Sequence, residues 1–200
     1  MDIMMSKEAT INQLYEEIKI CKKCSLWRYR KNPVPGEGNI NAVIMFIGEA
    51  PGYNEDLQGR PFVGAAGSLL DELLSSIGLS REDVYICNVL KCRPPNNRDP
   101  EPSEVLACTS FLDKQLELIK PRIIVTLGRH STSYILSKAS FRFDSITKTH
   151  GKVYDATIFD YKVSVVPTFH PAAALYNMQY KKELENDFKI LHEILSRIRG

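Results

Sequence analysis

The sequence predicts an α/β fold in which a parallel sheet is covered by helices on both faces. Two observations carry this reading. Four short, continuous apolar runs, Ala42 to Ile47, Val84 to Leu90, Ile123 to Leu127 and Val163 to Val166, suit strands buried on both sides. Stretches at helical spacing alternate with them, as successive βαβ units require.

The elements follow in order. Ala9 to Ile20 places Ile11, Leu14, Tyr15 and Ile18 on one helical face and runs directly into Cys21. A Pro/Gly-rich turn, Pro33 to Gly38, precedes the first strand. Further helices are expected at Ala65 to Ile77, Ser103 to Ile119 and Arg129 to Lys138, with a long C-terminal helix from Lys181 to Ile198. Ser140 to Asp160 reads as a loop or an extra hairpin. No repeat, low-complexity tract or linker divides the chain. Its 200 residues, 44% hydrophobic, are enough to bury about 70% of the unfolded surface, so one domain over residues 1–200 is expected.

The balance of 26 basic against 24 acidic residues leaves a formal charge of +2, so any nucleic-acid surface must be local. No apolar run reaches the roughly 18 residues of a membrane span, and the start lacks a signal-peptide core. A cytoplasmic protein without a membrane partner is expected. In a reducing compartment an odd count of five cysteines argues against a disulfide framework and for metal binding.

Ligands of open α/β sheets sit beyond the carboxyl ends of the strands. The four strands are followed there by Gly48-Glu-Ala-Pro-Gly52, Lys91-Cys-Arg-Pro-Pro95, Gly128-Arg-His130 and Pro167-Thr-Phe-His-Pro171. The unusual polar and Pro/Gly motifs therefore share one edge. Neither a phosphate loop nor a G-x-G-x-x-G fingerprint is present, so no nucleotide cofactor is expected. Glu49 and Glu55 are candidates for positioning a water. Phe62, in Gln58-Gly-Arg-Pro-Phe-Val-Gly64, is a candidate stacking platform. Asn88, an amide in an apolar strand, needs partners if buried. His170 leaves the last strand on the same edge.

Cys21 and Cys24 form a C-x-x-C pair able to converge on one metal. Cys92 follows the second strand, and Cys108 shares a helical stripe with Val105, Leu112, Leu116 and Ile119. Zinc and an iron-sulfur cluster both accept four thiolates, and spacing alone does not separate them. Cys87, in mid-strand, reads as core.

Together, Gly48-Glu-Ala-Pro-Gly52, Gln58-Gly-Arg-Pro-Phe-Val-Gly64, Asn88-Val-Leu-Lys-Cys-Arg-Pro-Pro95, Asn97-Arg-Asp-Pro100 and His170-Pro-Ala-Ala173 closely resemble the family 4 uracil-DNA glycosylases, from about Cys21 to the C-terminal helix. The resemblance implies a three-layer sandwich on a central four-stranded parallel sheet. It also implies a structural 4Fe-4S cluster on Cys21, Cys24, Cys92 and Cys108, and a monofunctional enzyme of base excision repair that hydrolyses the N-glycosidic bond of uracil and leaves an abasic site. Uracil would be bound by Glu49, Ala50, Phe62, Asn88 and His170, with Glu55, His170, Glu49 and Asn88 catalytic. Better-known uracil glycosylases direct the water with an aspartate where this chain has Ala50. Glu55 is then the first choice for that task, with Glu49 held by Asn97. Gly52 stands where some relatives carry an aromatic that excludes thymine, leaving Glu55 or Tyr53 to fill the space.

The expected partner is uracil-containing DNA, single- or double-stranded, acted on by a monomer. Lys22 to Lys31 holds five basic and no acidic residues, and Arg129 to Lys152 holds five basic residues against Asp144. Arg93, Arg98 and Lys148 are candidate DNA contacts, and Leu175 a candidate wedge. No Gln-led, double-aromatic peptide supports a sliding-clamp partner. A noncatalytic nucleic-acid-binding module folded around a metal is the second reading. An electron carrier is the third, under which the edge bearing Glu49, Asn88 and His170 has no purpose.

Overall fold

Side chains alternate between the two faces of a strand, so a continuous apolar run needs cover on both. The computed structural model describes residues 6–199. Residues 1–5, the first half of the start read for a leader, and the last residue of the expected domain lie outside the described residues. The strands are β1 (Glu37–Gly38), β2 (Ile44–Gly48), β3 (Tyr85–Asn88), β4 (Ile123–Leu127), β5 (Tyr154–Ile158) and β6 (Tyr161–Thr168). The helices are α1 (Lys7–Ile20), α2 (Tyr53–Gln58), α3 (Ala65–Ser76), α4 (Pro102–Ile119), α5 (Arg129–Lys138), α6 (Ile146–Thr149), α7 (Pro171–Ala174) and α8 (Met178–Arg199).

One sheet forms in the order β1-β3-β2-β4-β6-β5. Its centre, β3-β2-β4-β6, is parallel, and the register sets Gly48 opposite Asn88 and Leu127 opposite Thr168. The four expected strands make up this centre. Two antiparallel edges are added: β1 on β3, and β5 on β6. The first is two residues long and hidden in the Pro/Gly turn. The second is the hairpin alternative for residues 140–160. The loop after β2 also differs from expectation, because residues 53–58 close into α2.

Alternation divides the core into two layers. Phe46, Ile86, Val125 and Val166 pack on Leu70 and Leu74 of α3 and on Leu184, Phe188, Leu191 and Leu195 of α8. Met45, Tyr85, Ile124 and Val165 face Leu112 and Leu116 of α4 and Ile135 and Leu136 of α5, with Cys87 fully buried among them. The result is a helix-sheet-helix sandwich. A third cluster joins Ile11, Leu14 and Ile18 of α1 to Leu90, Cys92, Cys108 and Phe111. Ser6 starts α1 by accepting from the Ala9 N–H at 3.2 Å.

Phe188 is buried and stacks on Phe46 with ring centroids 5.9 Å apart. Phe188→Ala should lower the unfolding free energy by about 3–5 kcal/mol in urea titrations. A loss under about 1 kcal/mol would show that α8 does not close the core this way.

Candidate active site

The carboxyl ends of β2, β3, β4 and β6 open onto a cleft of about 330 Å³ lined by Glu49, Ala50, Gly52, Glu55, Phe62, Asn88, Asn97, Arg98 and His170 among others. Seven of the candidate site residues, Glu49, Ala50, Glu55, Phe62, Asn88, Arg98 and His170, thus meet there. Arg93, Lys148 and Leu175 do not line it.

Asn88 ends β3 and is 1% exposed. Its carbonyl accepts from Lys91 Nζ at 2.7 Å, which fixes the backbone. Its side-chain Oδ1 is buried without a hydrogen-bond partner among the described residues. A buried acceptor left without a donor costs about 1–3 kcal/mol, so this oxygen suits an N–H supplied by a ligand. Gly48 provides the room: a Cβ there would crowd Asn88 Oδ1 and stand 2.7 Å from Phe62 Cζ.

Phe62 has a left-handed backbone, φ +53°, an uncommon state for a bulky side chain. Arg81 holds it, donating to the carbonyls of Pro61 and Phe62 at 2.6 and 3.1 Å while paired with Glu37 and Asp71. Across the cleft the His170 ring lies 5.6 Å from that of Phe62, at 28°.

His170 caps α7, and its Nδ1 accepts from the Ala172 N–H at 3.1 Å. A neutral imidazole that accepts at Nδ1 carries its proton on Nε2. Burial keeps the ring neutral, pushing its pKa down to about 4. The site therefore holds a neutral N–H donor.

The contacts of the carboxylates differ from those expected. Oε1 of Glu55 accepts from the N–H groups of Val63 and Gly64 at 2.9 and 3.1 Å, and Oε2 from that of Gly52 at 3.1 Å. This side chain joins the start of α2 to the Phe62 loop and fills the space beside Gly52. Tyr53 is instead exposed, with Arg93 stacked 5.1 Å over its ring. Glu49 makes no bond to Asn97, whose Oδ1 accepts from Arg93 Nε at 2.7 Å. Glu49 Oε2 lies 3.7 Å from His130 Nε2. Burial raises the Glu49 pKa and nearby Asp99 adds to the rise, while His130 and Arg129 oppose it. Arg98, expected at DNA, is bound at 2.6 and 2.9 Å by the buried Glu104. Lys148 is paired with Asp144.

Cys21, Cys24, Cys92 and Cys108 line one small cavity with Ile18, Trp27 and Phe111. Donors point at three of the sulfurs: Arg30 Nη1 at Cys92 (3.1 Å), the Lys91 N–H at Cys108 (3.2 Å) and the Lys23 N–H at Cys21 (3.5 Å). Burial raises the Cys24 and Cys92 thiols and pushes Cys108 up to about 12. Among the described residues no three of the sulfurs lie within 4.8 Å of one another. One zinc ion at about 2.3 Å from each would need them about 3.8 Å apart.

Sequence reading missed Lys91 and His130. Lys91 is 1% exposed, and its Nζ also donates to Gln115 Oε1 at 2.6 Å. The signal for it was Gln115 itself, a polar residue on the apolar stripe of α4. His130 follows the third strand on the shared edge, which marked its place but not its partner.

The fold and cleft are those of an α/β protein with a ligand-sized site beyond the carboxyl ends of its central strands, and comparison with known proteins specifies it. Residues 35–191 match the model of the uracil DNA glycosylase superfamily. The type-4 uracil-DNA glycosylase of Saccharolobus solfataricus is 58% identical over 93% of this chain and 87% of its own length. That of Archaeoglobus fulgidus is 51% identical over 94% of both, and the type-5 enzyme of Pyrobaculum aerophilum is 33% identical over 78% of this chain and 72% of its own. The chain belongs to the uracil DNA glycosylase superfamily and, within it, to the type-4 uracil-DNA glycosylases.

The His170 geometry makes a direct prediction for ¹⁵N NMR. The ring should remain the Nε2–H tautomer through neutral pH and titrate near 4 rather than 6.5. The unfolded chain then binds more protons between those values, so stability falls as pH drops through that window. A midpoint above 6 would contradict the assigned donor.

Proposed function

We propose that this chain flips uracil out of DNA and hydrolyses its N-glycosidic bond, releasing free uracil and leaving an abasic site for base excision repair. The observation that carries this reading is the buried, unpartnered Oδ1 of Asn88 in a base-sized cleft. A base inside a duplex cannot reach such a cleft and must be extruded. Uracil offers N3–H to Asn88 Oδ1 and O4 to its amide N–H. Cytosine presents the reverse pattern and leaves both groups mismatched. Phe62 stacks on the extruded ring. Glu55, beside Gly52, closes the wall against a 5-methyl group.

Departure of the base leaves negative charge on uracil and positive character on the sugar. His170 Nε2–H donates to O2 and stabilises the anion, and its neutrality means that it does so without surrendering the proton. We assign the water to Glu49, because all three Glu55 contacts are with the backbone. Water oxygen bonds to C1′, the C1′–N1 pair leaves with uracil, and the water proton passes to the Glu49 carboxylate. No lysine is among the residues lining the cleft, in keeping with hydrolysis rather than Schiff-base chemistry.

The four cysteines are read as ligands of a 4Fe-4S cluster. The four share one cavity, and the three N–H donors suit sulfurs carrying negative charge. When bound, the cluster ties the segment after α1 to the β3 exit and to α4. One domain over the whole chain, acting as a monomer on single- or double-stranded DNA, completes the reading. Lys22 and Arg28 over Trp27, and Arg93 over Tyr53, provide basic and aromatic surface for the strand.

A uracil-containing oligonucleotide treated with the purified protein should break in alkali without added metal or nucleotide. Asn88→Ala and His170→Ala should each reduce the single-turnover rate about 10²–10³-fold. An intact oligonucleotide with wild-type protein would end the enzyme reading. Protein prepared anaerobically should be brown. Cys92→Ser should lose colour and stability before base choice changes, and a colourless, zinc-containing protein of full stability would reverse the cofactor assignment.

A further inference from the structure

Three segments of the sheet edge bring their charged groups together at the rim of the base pocket, which Glu49 also lines. Glu49 follows β2, Asp99 precedes α4, and His130 is the second residue of α5. Glu49 Oε2 and Asp99 Oδ1 each lie 3.7 Å from His130 Nε2, and the three ligand atoms fall within 4.8 Å of one another. Nε2 is buried and has no hydrogen-bond partner among the described residues. Arg129, next in the chain, pairs with Asp99. With a cation already beside Asp99, the trio reads as an electrostatic setting for Glu49 rather than as a cation site.

We propose that His130 is a positioning residue for Glu49, keeping its carboxylate ionised and available to take the proton of the attacking water. This rests on the assignment of the water to Glu49. The physical need is plain: a carboxylate drawn out of water tends to hold its proton, and a protonated Glu49 cannot accept another. The imidazole lies 3.7 Å from the carboxylate, close enough to favour its ionised form through a partly desolvated space. The charged groups that face Glu49 are His130 and Arg129, which favour its ionised form, and Asp99, which opposes it. Those that face His130 are Glu49 and Asp99.

The signs of these charges make the test specific. Single-turnover rates at saturating uracil-containing DNA should be measured from acid to neutral pH for the wild type, His130→Gln, Asp99→Asn, Glu49→Gln and the double variant His130→Gln/Glu49→Gln. His130→Gln should move the acid limb to higher pH by about 0.5–1 unit, a three- to tenfold loss of rate on that limb, with little change in DNA affinity. Asp99→Asn, which removes the opposing charge and frees Arg129, should move the limb the other way. Glu49→Gln should abolish the limb, and the double variant should be no slower than Glu49→Gln alone.

A structural role alone would lower the rate at every pH without moving the limb. An unmoved limb in His130→Gln, shifts of the same sign in His130→Gln and Asp99→Asn, or multiplicative losses in the double variant would overturn the inference while leaving Glu49 in place. Wild-type rates in Glu49→Gln would remove the water assignment and this inference with it. Should His130→Gln fail to fold, the downward shift in Asp99→Asn carries the test. Its absence would overturn the proposal.

Discussion

Lys91 is the fixed point on which the site depends. Its Nζ joins the Asn88 carbonyl to Gln115, while its own N–H points at Cys108 Sγ. Gln115 continues the chain of bonds to the Pro35 carbonyl and the Tyr85 hydroxyl, which meets that of Tyr15 on α1. A buried ammonium is tolerated only where its donors are satisfied and its charge is offset. The carbonyls do the first. The thiolates of the proposed cluster would do the second, so Asn88 and the cysteine cavity are two ends of one polar network through α4.

The cleft is held open from the other side by carboxylates bound to backbone. Glu55 gathers three N–H groups from two loops, and Asp56 accepts those of Lys31 and Asn32 at 2.9 and 3.4 Å. Arg81 braces the Phe62 turn from behind. Groups held by the backbone in this way need not be ordered when the base arrives, which is how a cleft of modest size gains rate from geometry.

Much of this was legible in the sequence because each signal was local. Apolar runs placed the four central strands, and the residues after them placed Glu49, Asn88 and His170 on one edge. Cys87 read correctly as core from its mid-strand position. What the sequence hid was pairwise. Nothing local to Glu55 reveals that its oxygens are taken by Val63, Gly64 and Gly52. Nothing local to Arg98 reveals the buried Glu104 six residues on, and β1 is too short to show a period. His130 and Glu49 are far apart in the chain and become neighbours only through the parallel pairing of β2 with β4.

The hydrogen bond from the Ala172 N–H to His170 bears on how this position can change over evolutionary time. One imidazole both begins a helix and offers an N–H at the cleft, and it does so through opposite ring nitrogens. A replacement must therefore be bifunctional: Ser or Asp would keep the helix start without the reach, whereas Lys or Arg would keep a donor and leave the turn open. Few single substitutions could pass through such a position, so drift there is confined more tightly than the loop's place on the surface would suggest.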